Sequence, residues 1–388
     1  MTVTDVVLHL GMGKTGSSSL QVALVRNREQ LARLGIRYPE HVTDARARRG
    51  QAMSGNGLAL QACLAPKPGT TEEQSDAALD GLFAEIAATT QPTIAYSSEF
   101  LAYFDVDRLR SLHGLLQARG VRLRSVIYVR DVAGHAISSY AEHVKRARYT
   151  VTLPEYLDEY VRWPAELSMG PRVQALDEIL GADNCLVIHY DSVRKELFES
   201  FMDQTFGIQD LTDFDLSRDD VNRSLTAQEV EWMRYLNARL ESPVAATAVS
   251  DQIVGREPLE RRSLVLTRDE VALLDARFGK EVAWINDHFF PDGRLSIEGG
   301  ATIVDEREAP APLTSNERFL LDCLAGLGNE WPPQRRSRPK ATNRKKGAAA
   351  PSPSELTAYA RVRRRLRRHL HLRRGDLRAK GKDPGRRP

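Results

Sequence analysis

Nine residues near the start of the chain, Gly11-Met12-Gly13-Lys14-Thr15-Gly16-Ser17-Ser18-Ser19, combine the groups that an anion needs. Glycines let backbone N–H groups come close, and Lys14 supplies a full positive charge. The hydroxyls of Thr15, Ser17 and Ser18 add donors. Before them, Val6–Leu10 is a short apolar run of the kind that forms a buried parallel strand. After them, Leu20, Leu24, Leu31 and Leu34 recur at helical spacing up to Gly35. A strand, a glycine-rich loop and a helix N-terminus with its positive end make a phosphate cradle.

Spacing separates the kinds of cradle. A nucleotide triphosphatase loop needs Gly-Lys-Ser/Thr after its last gap, and Ser17 stands where that lysine must be. Gly11, Gly13 and Gly16 satisfy the Gly-x-Gly-x-x-Gly of a dinucleotide site, which keeps an NAD(P)-dependent oxidoreductase as an alternative. Its ribose-binding acid would have to be Glu40, which follows Pro39. The third pattern places the lysine early in the loop. In this the chain resembles the sulfotransferases that use 3′-phosphoadenosine-5′-phosphosulfate (PAPS), and in particular their bacterial, carbohydrate-type members. The resemblance implies that Gly13, Lys14, Thr15, Gly16, Ser17 and Ser18 bind the 5′-phosphosulfate and that no metal is required. Adenosine 3′,5′-bisphosphate would be the product.

A second stretch, Tyr128-Val129-Arg130-Asp131-Val132-Ala133-Gly134-His135-Ala136-Ile137-Ser138, sends an arginine from a strand end and a serine from two turns into the next helix. One guanidinium and one hydroxyl can grip one phosphate. The pair resembles the family's 3′-phosphate motif, with Val132 replacing its usual proline and His135 an arginine. Val187-Ile188-His189-Tyr190-Asp191-Ser192-Val193 is similar to a later strand of the family. The resemblance covers about residues 5–210.

Transfer to a hydroxyl or amine requires a base. Glu99 directly follows the strand Thr93–Ser97 and is the candidate, in a segment that resembles one of carbohydrate sulfotransferases. His9, His135 and His143 compete for the role. Lys145, Arg146 and Arg148 form a basic cluster that either meets an anionic acceptor or is merely solvated. Arg223 precedes a capping-box pattern, Thr226 with Glu229, and capping explains most of that segment.

Strands alternate with helices along the chain, which predicts an α/β fold with three layers, P-loop-like, around a mostly parallel sheet. Helices are expected near 226–241 and 268–288, without strands between them, as a helical C-terminal part. The domain reading is 1–300 for the α/β domain with its cap, 301–332 for an irregular extension and 333–388 for a basic tail. From Pro333 to Pro388 there are 20 Lys or Arg against three acids, a net +17, while residues 1–332 carry −14. Within the tail, Leu356, Tyr359, Val362, Leu366 and Leu370 recur at helical spacing among arginines. This predicts a linker and a basic amphipathic helix over 356–374, suited to an anionic membrane surface. It lacks the aromatics of a base-stacking surface, so no sequence-specific nucleic-acid partner is expected. The three cysteines have no metal-ligand spacing and read as free thiols. No secretory leader is read at the N-terminus, so the expected location is cytoplasmic, peripheral to a membrane. The acceptor implied by the resemblance is a small molecule or carbohydrate. A non-catalytic nucleotide-binding module is the remaining alternative.

Overall fold

The computed structural model describes residues 3–48, 53–217, 223–258 and 261–329. The predicted linker and basic helix of the tail lie outside them. Five parallel strands, β1 (Asp5–Leu10), β2 (Ile36–Arg37), β3 (Thr93–Ser98), β4 (Arg122–Val129) and β5 (Cys185–His189), form a sheet in the order β2-β3-β1-β4-β5. β1 is buried along its whole length, as a central strand covered on both faces must be. Alternation along the strands sorts two cores. Val6, Leu8 and Leu10 enter one with Ile127 and Val129, and Val7 enters the other with Val126 and Tyr128.

Helices α1 (Ser17–Arg26), α2 (Glu72–Ala88), α3 (Val106–Gln117), α4 (Val132–Arg146), α5 (Leu153–Tyr160), α6 (Met169–Leu180) and α7 (Leu197–Phe206) alternate with the strands. Leu20 and Leu24 of α1 join Phe198 and Phe201 of α7 in the second core. Leu109 and Leu112 of α3 and Leu176 of α6 lie in the first. The result is the expected three-layer, P-loop-like α/β architecture. Register places the functional loops: Leu10 lies opposite Ser98 on β3 and Ile127 on β4. Because these strands run in one direction, the residues that follow them leave at one edge of the sheet.

Beyond the sheet come α8 (Ala227–Asn237), α9 (Pro243–Val254), α10 (Arg268–Phe289) and α11 (Ser315–Asn329). Threonine capping boxes start α2, α5, α8 and α10, and the predicted Thr226–Glu229 pair is one of them. Among the described residues no helix is long and apolar enough to cross a membrane.

Three expectations about elements are corrected. The helix read over 17–34 breaks at Asn27, whose buried amide donates to the carbonyls of Ala23 (3.0 Å) and Asp215 (3.0 Å) and accepts from the Asp215 N–H (2.7 Å). A side chain that competes for backbone partners ends a helix. Two short strands, β6 (Val265–Thr267) and β7 (Thr302–Val304), pair in parallel where none was expected. Three residues are too few to show a period. The stretch read as an irregular extension holds regular elements: β7 and α11 lie within its described residues, 301–329.

Replacing Asn27 by Ala strands the Asp215 backbone groups away from their partner. The expected cost is about 2 kcal/mol, read as a lower urea midpoint at unchanged slope.

Candidate functional site

The loop between β1 and α1 is built by three constraints. Gly16 sits at the start of α1 with φ 75°, and a Cβ there would lie 2.6 Å from Leu197 Cδ2. A Cβ on Gly11 would lie 2.3 Å from Ser17 Oγ and 3.3 Å from Glu99 Cα, so glycine is what allows the β1 end and the β3 end to meet. Lys14 itself is left-handed, at φ 65°. A Cβ on Gly13 meets nothing within 4 Å, so that residue faces open space. The first turn of α1 holds no acid and its N-cap makes no side-chain hydrogen bond. Its positive end is therefore not neutralised locally.

Arg130 ties this loop to α4. Its Nη1 donates both to the Lys14 carbonyl (3.0 Å) and to Ser138 Oγ (2.9 Å). The Asp191 carboxylate faces Nε at 3.4 Å, an ion pair without hydrogen-bond geometry, and the Tyr190 ring lies 5.2 Å below the guanidinium. Asp191 also accepts from the Asp131 N–H (3.2 Å). The sequence thus places Lys14, Arg130 and Ser138 in one cluster, although Arg130 and Lys14 are 116 residues apart.

His135 clamps the same loop. Tyr160 OH donates to its Nδ1 (2.7 Å), and its Nε2–H donates to the Gly13 carbonyl (3.0 Å). Burial, with Arg130 beside it, holds this imidazole down at about 4, so it is neutral at pH 7. The other histidines also serve the frame. His9 is buried against Ser97, Tyr128 and Phe201, and burial pushes it down to about 3. His143 is buried, its Nδ1–H donating to the Ser139 carbonyl within a cluster of Tyr149, Tyr156 and Trp163.

Thr15 spends its hydroxyl on the Met12 carbonyl (2.6 Å) and so shapes the turn. Ser17 Oγ is buried with no hydrogen-bond partner among the described residues, and Ser18 is half-buried. Glu99 begins the turn after β3 and keeps part of its surface open. Burial raises its pKa, the Glu142 carboxylate raises it further, and Lys14 pulls it back.

Glu142 escaped the sequence reading. It lies one turn beyond Ser138 on α4, where its Oε2 meets Lys14 Nζ (3.2 Å) and Lys145 Nζ (3.3 Å), with Arg146 at 3.7 Å from Oε1. Although burial pushes this carboxyl up, the three cations hold it at about 2. The basic cluster is engaged within the protein, with Arg146 and Arg148 still partly exposed. Lys145 is buried between Glu142 and the Arg223 carbonyl, Arg146 pairs with Asp251 (2.5 Å), and Arg148 donates to the carbonyls of Glu241 and Asn237. Arg223 is likewise spent, held by both Glu229 oxygens at 2.7 Å.

A strap over 296–300 is the second unforeseen part. The N–H groups of Val132, Ala133 and Gly134, which open α4, donate to the carbonyls of Ser296, Ile297 and Gly299. Asp131 Oδ1 accepts from Ser296 N–H (2.8 Å) and lies 3.3 Å from His189 Nε2. Gly134 lets this strap pass: a Cβ there would lie 3.2 Å from Gly299 O and 3.4 Å from Arg130 Nη2.

Among solved structures, the chain is similar to a sulfotransferase from Alicyclobacillus acidocaldarius at 15% identity and a TM-score of 0.33, over 65% of this chain and 96% of that one. It is also similar to a retinol dehydratase in complex with androsterone and the inactive cofactor PAP, at 13% identity and a TM-score of 0.31, over 74% and 81% respectively. No family model matches the sequence, and no curated protein matches it.

The depressed Glu142 carboxyl stabilises the fold in its ionised form. That stabilisation is complete above the ordinary 4.5 and is lost as pH falls toward about 2. Thermal melts over this interval should therefore fall more steeply for the native protein than for Glu142→Gln. Parallel curves would mean that Glu142 gains nothing from Lys14, Lys145 and Arg146.

Proposed function

We propose that this protein transfers the sulfuryl group of PAPS to a hydroxyl or amine, with a carbohydrate or glycoconjugate as acceptor. The observation that carries the reading is the Arg130 guanidinium, whose Nη1 bonds the Lys14 carbonyl and Ser138 Oγ at once. It makes one site of two phosphate-binding patterns. The residues suit such a donor. The α1 N-terminus has no acid in its first turn, Gly13 faces open space, and Ser17 Oγ is buried without a partner among the described residues.

In this reading the amides of Gly13, Lys14, Gly16, Ser17 and Ser18 hold the 5′-phosphosulfate, while Thr15 shapes the turn. Arg130 and Ser138 hold the 3′-phosphate. PAPS, when bound, supplies an activated sulfuryl group and leaves as adenosine 3′,5′-bisphosphate. Lys14 Nζ offsets the charge that gathers on the departing phosphate oxygen, so no metal is invoked. Glu99 takes the proton of the acceptor as the new bond to sulfur forms, and its raised pKa suits a base. Glu142 keeps Lys14 directed into the site. With Lys145, Arg146 and Arg148 all engaged elsewhere, the acceptor hydroxyl is read as belonging to an uncharged sugar unit.

The sheet order weakens the dinucleotide alternative. β3 lies between β1 and β2, so the end of β2 is a full strand away from the glycine loop, and Glu40 is exposed beyond it. In a dinucleotide fold the second strand adjoins the first.

Calorimetry without magnesium is expected to show binding of adenosine 3′,5′-bisphosphate and none of NAD. Arg130→Ala should weaken that binding by about tenfold to hundredfold. Tight binding of NAD with none of the bisphosphate would sink the proposal. Glu99→Gln should slow single-turnover transfer by roughly 10²–10⁴ while leaving bisphosphate affinity as it is. Full transfer activity in that variant would remove Glu99 as the base and, with binding intact, would leave the ligand assignment standing.

A further inference from the structure

The last described helix shows water a face that a soluble surface ordinarily hides. On α11, Phe319 is 68% exposed, Leu320 61%, Leu324 43% and Leu327 66%, and Cys323 among them is exposed too. At 100° per residue these positions fall within about 140° of arc, so they form one continuous stripe. Exposed apolar patches of this kind mark an interaction surface.

The helix cannot roll to bury the stripe. Its inner face, Leu321, Ala325 and Gly328, is already buried, and a Cβ on Gly328 would lie 2.6 Å from Leu240 Cδ2. Polar ties run along its length. Trp232 Nε1 donates to Glu317 (3.2 Å), and Tyr235 OH (3.0 Å) and Arg239 Nε (2.7 Å) both donate to Asp322 Oδ1. Asn329 is bonded to the Arg239 carbonyl (3.1 Å) and to the Glu241 N–H (2.8 Å). Thr314 and Glu317 cap the first turn reciprocally. The stripe is held outward from end to end.

Charge identifies what it meets. Residues 1–332 carry a net −14, which an anionic surface would repel. Only a few residues after α11 ends at Asn329, the chain from Pro333 onward carries 20 Lys or Arg against three acids. An apolar helical stripe continued in sequence by a strongly basic segment is the pattern of attachment to anionic lipid. We propose that the Phe319–Leu320–Leu324–Leu327 face of α11 inserts into the interfacial layer of an anionic bilayer, with the following basic residues supplying the electrostatic attraction. Neither element suffices alone: the stripe is small, and charge alone is screened by salt.

The test uses the full chain with vesicles of phosphatidylcholine containing 30% phosphatidylglycerol, and with phosphatidylcholine alone. The native protein should co-sediment with the anionic vesicles at moderate salt and release at high salt. Phe319→Ser combined with Leu327→Ser removes two exposed groups without touching the core, so the melting temperature should hold. Partitioning should fall by about thirtyfold to hundredfold. Equal partitioning of the double variant, or no binding by the native protein, would overturn the proposal. A native dimer that the double variant splits in sedimentation velocity would assign the stripe to a second copy instead, and would overturn it as well.

Discussion

The Arg130 guanidinium must occupy one position for the end of β1 and the body of α4 to form a common edge. It leaves the sheet beside the Lys14 carbonyl, reaches Ser138 two turns into α4, and is braced by Asp191 and the Tyr190 ring from the end of β5. Three strands thus contribute to the placement of one side chain. The cost of setting a cation in a half-buried place is offset because each neighbour is a carbonyl, a hydroxyl, a carboxylate or a π-face. The parallel register fixes the rest: with Leu10 opposite both Ser98 and Ile127, neither Glu99 nor Arg130 can lie far from Gly11.

Two helix N-termini meet at this edge, and the structure treats them differently. α4 has its opening amides satisfied by three carbonyls of the 296–300 strap. α1 begins at a left-handed Gly16 with no acid and no side-chain cap. The uncompensated positive helix end at this edge therefore belongs to α1. The cation that shares it is steered by Glu142, an acid on the other helix. The two glutamates differ because of their neighbours: Glu142 sits among three cations, whereas Glu99 is raised by burial and by the Glu142 carboxylate, with Lys14 as the opposing influence.

What the sequence made legible was local. Lys14 at an early loop position, and a serine eight residues after an arginine, are short-range spacings that survive folding unchanged. The apolar runs of β1, β4 and β5 were likewise readable, because a buried strand needs nothing beyond itself to announce its burial. The partners of those residues were not readable. Glu142 lies 128 residues from Lys14, and Asp191 lies 60 from Asp131. Nothing in their own neighbourhoods distinguishes them from surface acids. The basic cluster at 145–148 misled in part for the same reason: Glu142 lies on its own helix, but Asp251 and the carbonyls of Arg223, Asn237 and Glu241 come from 78 to 105 residues later in the chain. Asn27 ended a helix that hydrophobic spacing continued, because its amide found Asp215.

The strap over 296–300 also sets an order of events at the ribosome. The sheet and α4 are complete in sequence by His189, about a hundred residues before Ser296 is made. During that interval the amides of Val132, Ala133 and Gly134 have no carbonyls from the strap to bond. Completion of the strap therefore satisfies the opening amides of α4 and leaves α1 as the helix at this edge whose first turn has neither an acid nor a side-chain cap.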